Sequence, residues 1–166
     1  MKQLSFLDPQ EPKSQASVYT LHVDGASRNN PGPSGAGIYI TAQKKSLIKI
    51  GYFLGLRTNN QAEYLALVLG IYHAREFIKP GDALVIVSDS QLLIRQLEGA
   101  YKVKDAQLKR LYDFAKHLLM DIRYKTIHVL REENTVADEM ANVGIDTKKE
   151  VPEEFINMLK RHEISW

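Results

Sequence analysis

The chain has 166 residues, 44% hydrophobic and 25% charged, with a net charge of +2. That length suits one domain with a single core, and so small a charge means that any nucleic-acid binding must come from local patches. The absence of cysteine excludes disulfides and thiolate zinc sites.

Residues 1–16 read as a flexible tail: "LDPQEPKSQAS" is polar, carries two prolines and has no core face. "VYTLHVD" (18–24), "GAGIYIT" (35–41) and "SLIKIGYFLG" (46–55) read as strands, with "AQKK" as the hairpin joining the last two. Helical periodicity follows over 59–78, with Ala62, Leu65, Ala66, Leu69 and His73 on one face and "KPG" as the stop. "ALVIVSD" (83–89) is continuously apolar, as a buried central strand would be. Helices are expected over 90–97 and 105–122, the second opened by an Asp cap, and a fifth strand over 124–130. A helix over 134–146 would have Asn134 as its N-cap. A last amphipathic helix over 151–164 opens with Pro152 and two acids. The pattern is α/β, a mixed sheet with helices on its faces. No apolar run reaches the ~18 residues of a membrane span, and no signal-peptide apolar region is seen at the N-terminus. A cytoplasmic monomer with no membrane contact is the expectation.

Four acids stand at the ends of elements. Asp24 ends the first strand and Asp89 ends the central one; if those strands are adjacent and parallel, both carboxylates emerge at one sheet edge, where α/β proteins bind ligands. Glu63 and Asp138 each sit one turn into a helix. Turn chemistry and helix dipoles explain each acid singly, but explain less well all four together. Clustered carboxylates repel, so a cation is needed to keep them ionised. Oxygen-only ligands favour Mg²⁺ or Mn²⁺, and such a group supports two-metal phosphoryl chemistry.

"VDGASRNNPGPSGAG", "TNNQAEYLAL", "VSDSQLLIRQL" and "REENTVADEMAN" stand in the order of the ribonuclease H type 1 family, which this chain resembles over about residues 18–146. The resemblance implies a ribonuclease H-like fold: a five-stranded mixed sheet, three strands antiparallel and then two parallel, flanked by helices. The domain would span 17–147, with 148–166 a helical extension. It implies an endoribonuclease that cuts the RNA strand of RNA–DNA hybrids, leaving 5′-phosphate and 3′-hydroxyl ends, with a part in removing primers and R-loops. Asp24, Glu63, Asp89 and Asp138 match the family's metal-binding acids. Asp24 would bridge two Mg²⁺ or Mn²⁺ ions; Glu63 and Asp89 would hold the ion near the leaving 3′-oxygen, and Asp138 the ion beside the attacking water. Asn30, Asn59 and Gln91 match minor-groove contacts. Ser90 and the backbone at Gly25, Ala26 and Ser27 would meet RNA 2′-hydroxyls, and Thr58 and Asn60 a DNA phosphate, although Thr58 or Asn59 could simply cap the helix. A non-catalytic module binding hybrid or double-stranded RNA is the alternative; it would be free to lose the acids, and all four are present.

The sequence departs from the family pattern twice. In place of a histidine-bearing loop it has "IHVLREEN". His128 falls in a stretch that reads as strand, where packing is expected, so the accessory catalytic role is given to Arg131. The form resembles the archaeal-like branch. Only "AYKVK" separates Gly99 from the next long helix, leaving no room for the basic protrusion of the best-known members; Lys102 and Lys104, with Tyr101, Lys109 and Arg110, would partly substitute. Near the N-terminus, Gln3–Leu7 resembles the short peptides that dock on the bacterial sliding clamp. In the C-terminal segment Phe155, Ile156 and Leu159 would pack on the domain or a partner, with Lys160, Arg161 and His162 free for substrate.

Overall fold

A computed structural model describes residues 15–166; the segment 3–7, read above as a clamp-docking peptide, lies outside them. The elements are β1 (Val18–Ser27), β2 (Gly32–Ala42), β3 (Lys45–Arg57), α1 (Asn59–Ala74), β4 (Ala83–Ser88), α2 (Gln91–Leu97), α3 (Ala106–Leu119), β5 (Arg123–His128), α4 (Thr135–Thr147) and α5 (Glu153–Arg161). A 3₁₀ turn, Arg131–Glu133, precedes α4. The sheet order is β3-β2-β1-β4-β5. β1 is antiparallel to β2 and β2 to β3, while β4 lies parallel to β1 and β5 to β4. This is the sheet expected above. No helix among the described residues is long and apolar enough to cross a membrane.

Several boundaries move for physical reasons. The hairpin between β2 and β3 closes on two residues, Gln43 (φ 50°) and Lys44 (φ 61°), both left-handed. Such a tight turn matches the strand twist, so the ladder runs up to it on both sides. β1 continues past Asp24 to Ser27 because β2 pairs with it as far as Ser27↔Ser34. Helix α1 stops at Ala74, ahead of "KPG", where Glu76 and Phe77 donate to carbonyls three residues back. It is also buried nearly all round, Tyr64 to Ile71 without a break, rather than along one stripe. The sheet covers one side of it and α3 another. Tyr72 of α1 meets Phe155 of α5 edge-on, ring centroids 5.6 Å apart. Phe155 and Leu159 are fully buried and join the core with Val151 and Ile164, so the C-terminal segment packs on this chain's own domain. Residues 98–105 link α2 to α3 with no inserted helix.

Two glycines set how closely helices approach the sheet around Asp24. A Cβ on Gly25 would lie 2.2 Å from the Ala62 carbonyl carbon and 2.3 Å from the Glu63 nitrogen. A Cβ on Gly37, the residue paired with Asp24 across β1 and β2, would lie 1.8 Å from the Ala137 carbonyl oxygen. Side chains alternate along β1, so Gly25 faces α1 while Asp24 and Gly37 face α4. The neighbours of Ala62 and Ala137 in the contacts are the acid-bearing turns. Gly37→Ala should therefore push α4 off the sheet, at a cost of about 3 kcal/mol or more because rigid backbone must yield; urea titration followed by circular dichroism checks this.

Candidate metal centre and active site

β1 pairs with β4 only from Val18↔Ala83 to His22↔Val87. Beyond that the two strands part, and the peptide groups of β1 on that side face a cleft of about 560 Å³. The cleft is walled by Asp24, Gly25, Ala26, Ser27, Asn59, Asn60, Glu63, Asp89, Ser90, Arg131 and Asp138. The four acids thus come together.

Each acid is held from its own element. Asp24 lies in β1 and is buried, 5% exposed. Glu63 rides on the first turns of α1, whose N-terminus is fixed by a capping box: Thr58 Oγ1 accepts from the Gln61 amide at 3.2 Å, and Gln61 Oε1 accepts from the Thr58 amide at 2.9 Å. Asp89 follows β4 in a turn where the Ser90 amide donates to Ser88 Oγ at 3.0 Å. Ser90 Oγ accepts from the Leu93 amide and caps α2. Asp138 is four residues into α4. Asn134 does not cap that helix with its side chain, as the sequence suggested. Its Nδ2 instead donates to the Val23 carbonyl at 2.9 Å, fully buried, across 111 residues of chain. Its backbone carbonyl accepts from the Asp138 amide at 3.1 Å. One asparagine therefore links the peptide before Asp24 to the turn carrying Asp138. The only hint of it in the sequence is an Asn placed one turn ahead of an acid, which reads equally well as a cap.

Oxygen atoms of Asp24, Glu63 and Asp89 all lie within 4.8 Å of one another, and Asp138 lines the same cleft. Burial pushes the Asp24 carboxyl far above the ordinary carboxylate range, and the charges of Glu63 and Asp89 push it further. Burial raises Glu63 as well, partly offset by a hydrogen bond from Asp24 and by the Gly25 amide. Glu63 Oε2 is buried without a hydrogen-bond partner. Three crowded carboxylates and one orphaned oxygen, with no nitrogen or sulfur donor among them, fit a hard divalent cation such as Mg²⁺ or Mn²⁺.

Other residues singled out in the sequence fall in different places. Arg131 is exposed, its Nε 4.0 Å from Asp89 Oδ2 at the cleft rim. His128 is exposed rather than packed. It is the last residue of an outer strand, so no neighbour covers it, and its Nε2 lies 3.3 Å from the Asp89 carbonyl. Asn59, Asn60 and Ser90 line the cleft, whereas Thr58 and Gln91 do not. Asn30 stands beside it, its Oδ1 accepting from the Asn59 amide at 3.0 Å. Lys102 borders a separate hollow with Tyr101, Lys109 and Tyr112, and Lys104 is exposed nearby. Lys109 is paired with Asp113 at 2.8 Å, which reduces the charge of that patch.

A family model described as reverse transcriptase-like matches residues 22–144. A ribonuclease HI of Halobacterium salinarum is 37% identical over 127 residues, 75% of this chain and 63% of the relative. The crystal structure of RNase H1 from that archaeon superposes with a TM-score of 0.72 at 34% identity, covering 80% of this chain and 98% of the other. The chain belongs to the ribonuclease H type 1 family. A bifunctional protein of Mycobacterium tuberculosis, Rv2228c, is 36% identical over 130 residues, 76% of this chain but 35% of its own length. The chain thus spans less than two thirds of these curated relatives. LC11-RNase H1, solved in complex with an RNA/DNA hybrid, superposes with a TM-score of 0.72 at 33% identity over 79% of this chain and 97% of that one. Members of this family are metal-dependent, in keeping with the acid cluster.

Two expectations follow. Above pH ~4 the folded chain keeps protons on Asp24 and Glu63 that the unfolded chain has released, so without metal its stability falls as pH rises through that window. In metal-free buffer at pH 8, Asp24→Asn should melt roughly 3–6 °C above the parent, and added Mg²⁺ should raise the melting temperature of the parent alone; thermal melts at pH 5 and 8 test both. Asn134→Ala leaves the buried Val23 carbonyl without its donor and should cost about 1–3 kcal/mol, while weakening Mn²⁺ binding measured by calorimetry.

Proposed function

We propose that this chain is an endoribonuclease that hydrolyses the RNA strand of RNA–DNA hybrids, leaving 5′-phosphate and 3′-hydroxyl ends, and that it serves to remove primers and R-loops. The observation that carries the reading is the convergence of Asp24, Glu63, Asp89 and Asp138 in a cleft whose wall is an open strand edge. The hybrid-bound relative, at 33% identity, supports the choice of substrate.

In this reading Asp24, Glu63, Asp89 and Asp138 would hold two Mg²⁺ or Mn²⁺ ions. Bound ions supply charge neutralisation at the attacking and leaving oxygens of an in-line displacement. The protein's part is placement. Burial and the two close helix–sheet approaches fix the acids before substrate arrives, so little reorganisation is needed. The side of β1 that β4 leaves unpaired offers peptide groups of Gly25–Ser27 to a ribose 2′-hydroxyl, which can donate and accept. Asn59, Asn60 and Ser90 supply polar contacts from the same wall, Asn30 steadies Asn59, and Gln91, Thr58, Lys102 and Lys104 contact strands lying beyond the cleft. Arg131, exposed at the rim and only loosely paired with Asp89, meets the negative charge that grows on the reacting phosphate. Lys160, Arg161 and His162 are not needed for this chemistry.

The test is cleavage of matched hybrid, double-stranded RNA and double-stranded DNA with Mg²⁺ or Mn²⁺. The RNA of the hybrid should be cut, and chelator should stop the reaction. Asp24→Asn should lower kcat by about a thousandfold or more, roughly 4 kcal/mol of barrier, while staying folded. An intact hybrid in the presence of either metal would refute the assignment.

A further inference from the structure

Gln96 lies near the end of α2 and is buried, 5% exposed, apart from the acid cleft. A buried amide costs free energy unless its polar atoms are bonded, and here both ends are. The Tyr64 hydroxyl donates to Gln96 Oε1, and Gln96 Nε2 donates to the Lys102 carbonyl at 3.4 Å. That carbonyl can only accept, which sets the orientation of the amide and makes the Tyr64 hydroxyl the donor at its other end. Tyr64 is itself buried, in α1, and follows Glu63 in the chain.

What this bond holds is the loop between α2 and α3. The first residues of that loop close the end of α2: the amides of Gly99, Ala100 and Tyr101 donate to the carbonyls of Gln96 and Arg95. Its last residue, Asp105, caps α3 by accepting from the Leu108 amide at 2.9 Å. Residues 102–104 lie between these two anchors. Among the described residues, the hydrogen bond that reaches them is the one from Gln96, and Val103 adds half-buried packing on the core. Lys102 and Lys104, on either side of Val103, are exposed. Neither has a carboxylate within 4.0 Å among the described residues, unlike Lys109, which is paired with Asp113. An apolar side chain at position 96 would fill the same space without the desolvation cost, so what the amide contributes is the position of the loop.

We propose that Gln96 is a positioning residue for nucleic-acid binding: held by Tyr64, it fixes the backbone at Lys102 and so presents Lys102 and Lys104 to the substrate in a set relation to the helix that carries Glu63. Lysine is a flexible point charge, and its contribution to affinity depends on how much ordering remains to be done on binding. A loop already held by a buried amide leaves less. This rests on the hybrid-nuclease reading for its substrate but not on turnover.

Binding is best measured without cleavage, in the Asp24→Asn background, with a short hybrid across a salt series. Gln96→Leu with Tyr64→Phe removes both polar side chains together, so that neither is left buried and unpaired, and the fold should hold. Hybrid binding should weaken about tenfold all the same. Lys102→Gln with Lys104→Gln should weaken binding and reduce the slope of log K against log salt by about 1.8, two phosphate contacts at about 0.9 each. Combining the two pairs decides the matter: with the lysines gone, the changes at Gln96 and Tyr64 should have no further effect on affinity. With Asp24 intact, the loss caused by the Gln96 and Tyr64 changes should appear in KM and not in kcat. Gln96→Met, which fills the space without donating, carries the same test if the double variant misfolds. Parent-like affinity in a folded Gln96 variant, or losses that simply add when the two pairs are combined, would overturn the proposal. A fall in kcat alone would also overturn it, by placing the influence of Gln96 at the acids. A parent that binds hybrid but does not cut it would remove the proposed activity and leave this role standing.

Discussion

Close approach of two helices to one sheet is the constraint on which the rest of the site depends. Asp24 alone is an acid at a strand end. It becomes part of a cluster because α1 and α4 come near enough, on opposite faces, to bring Glu63 and Asp138 to it. Helices that near the strands leave no space for a side chain at Gly25 or at Gly37. Ordinary helix-on-sheet packing would set each carboxylate farther off, since interiors are close-packed and do not stretch to compensate. The Asn134 bond to the Val23 carbonyl then fixes the register of α4 against β1.

That geometry is electrostatically expensive. Buried like charges raise one another's pKa, and Asp24 shows both contributions. The fold supports the cluster with the burial of α1 and with α3 and α5, whose apolar residues share one core. Strain held locally and supported elsewhere is the usual condition of a site prepared for charge. The rim, with Arg131 and His128, is exposed and lies outside that burial.

Much of this was legible in the chain, for identifiable reasons. The strands announced themselves by alternation, and the continuous apolar run of 83–89 marked the sheet centre, because a strand covered on both faces has no polar side. The four acids were legible because each sat beside a boundary that turn and cap chemistry made visible. Other features were hidden because they are tertiary. Gly25 reads as room for a ligand, yet α1 fills that room. Asn134 reads as a cap, and only the fold shows that its amide reaches 111 residues away. His128 alternates like a core residue, but its strand lies at the outer edge of the sheet, so the same pattern leaves it exposed.

The parting of β1 from β4 after His22 has a consequence for variation. A wall made of peptide groups presents the same donors and acceptors whatever side chains its residues carry. Substitution at Ala26 or Ser27 can alter the bulk of that wall but not the order of its hydrogen-bonding groups, whereas Gly25, pressed against α1, has no such latitude. Changing what the wall accepts would require changing where two strands stop pairing, which is a property of the whole sheet. Such a surface is set by topology, and single substitutions at Ala26 or Ser27 leave its pattern intact.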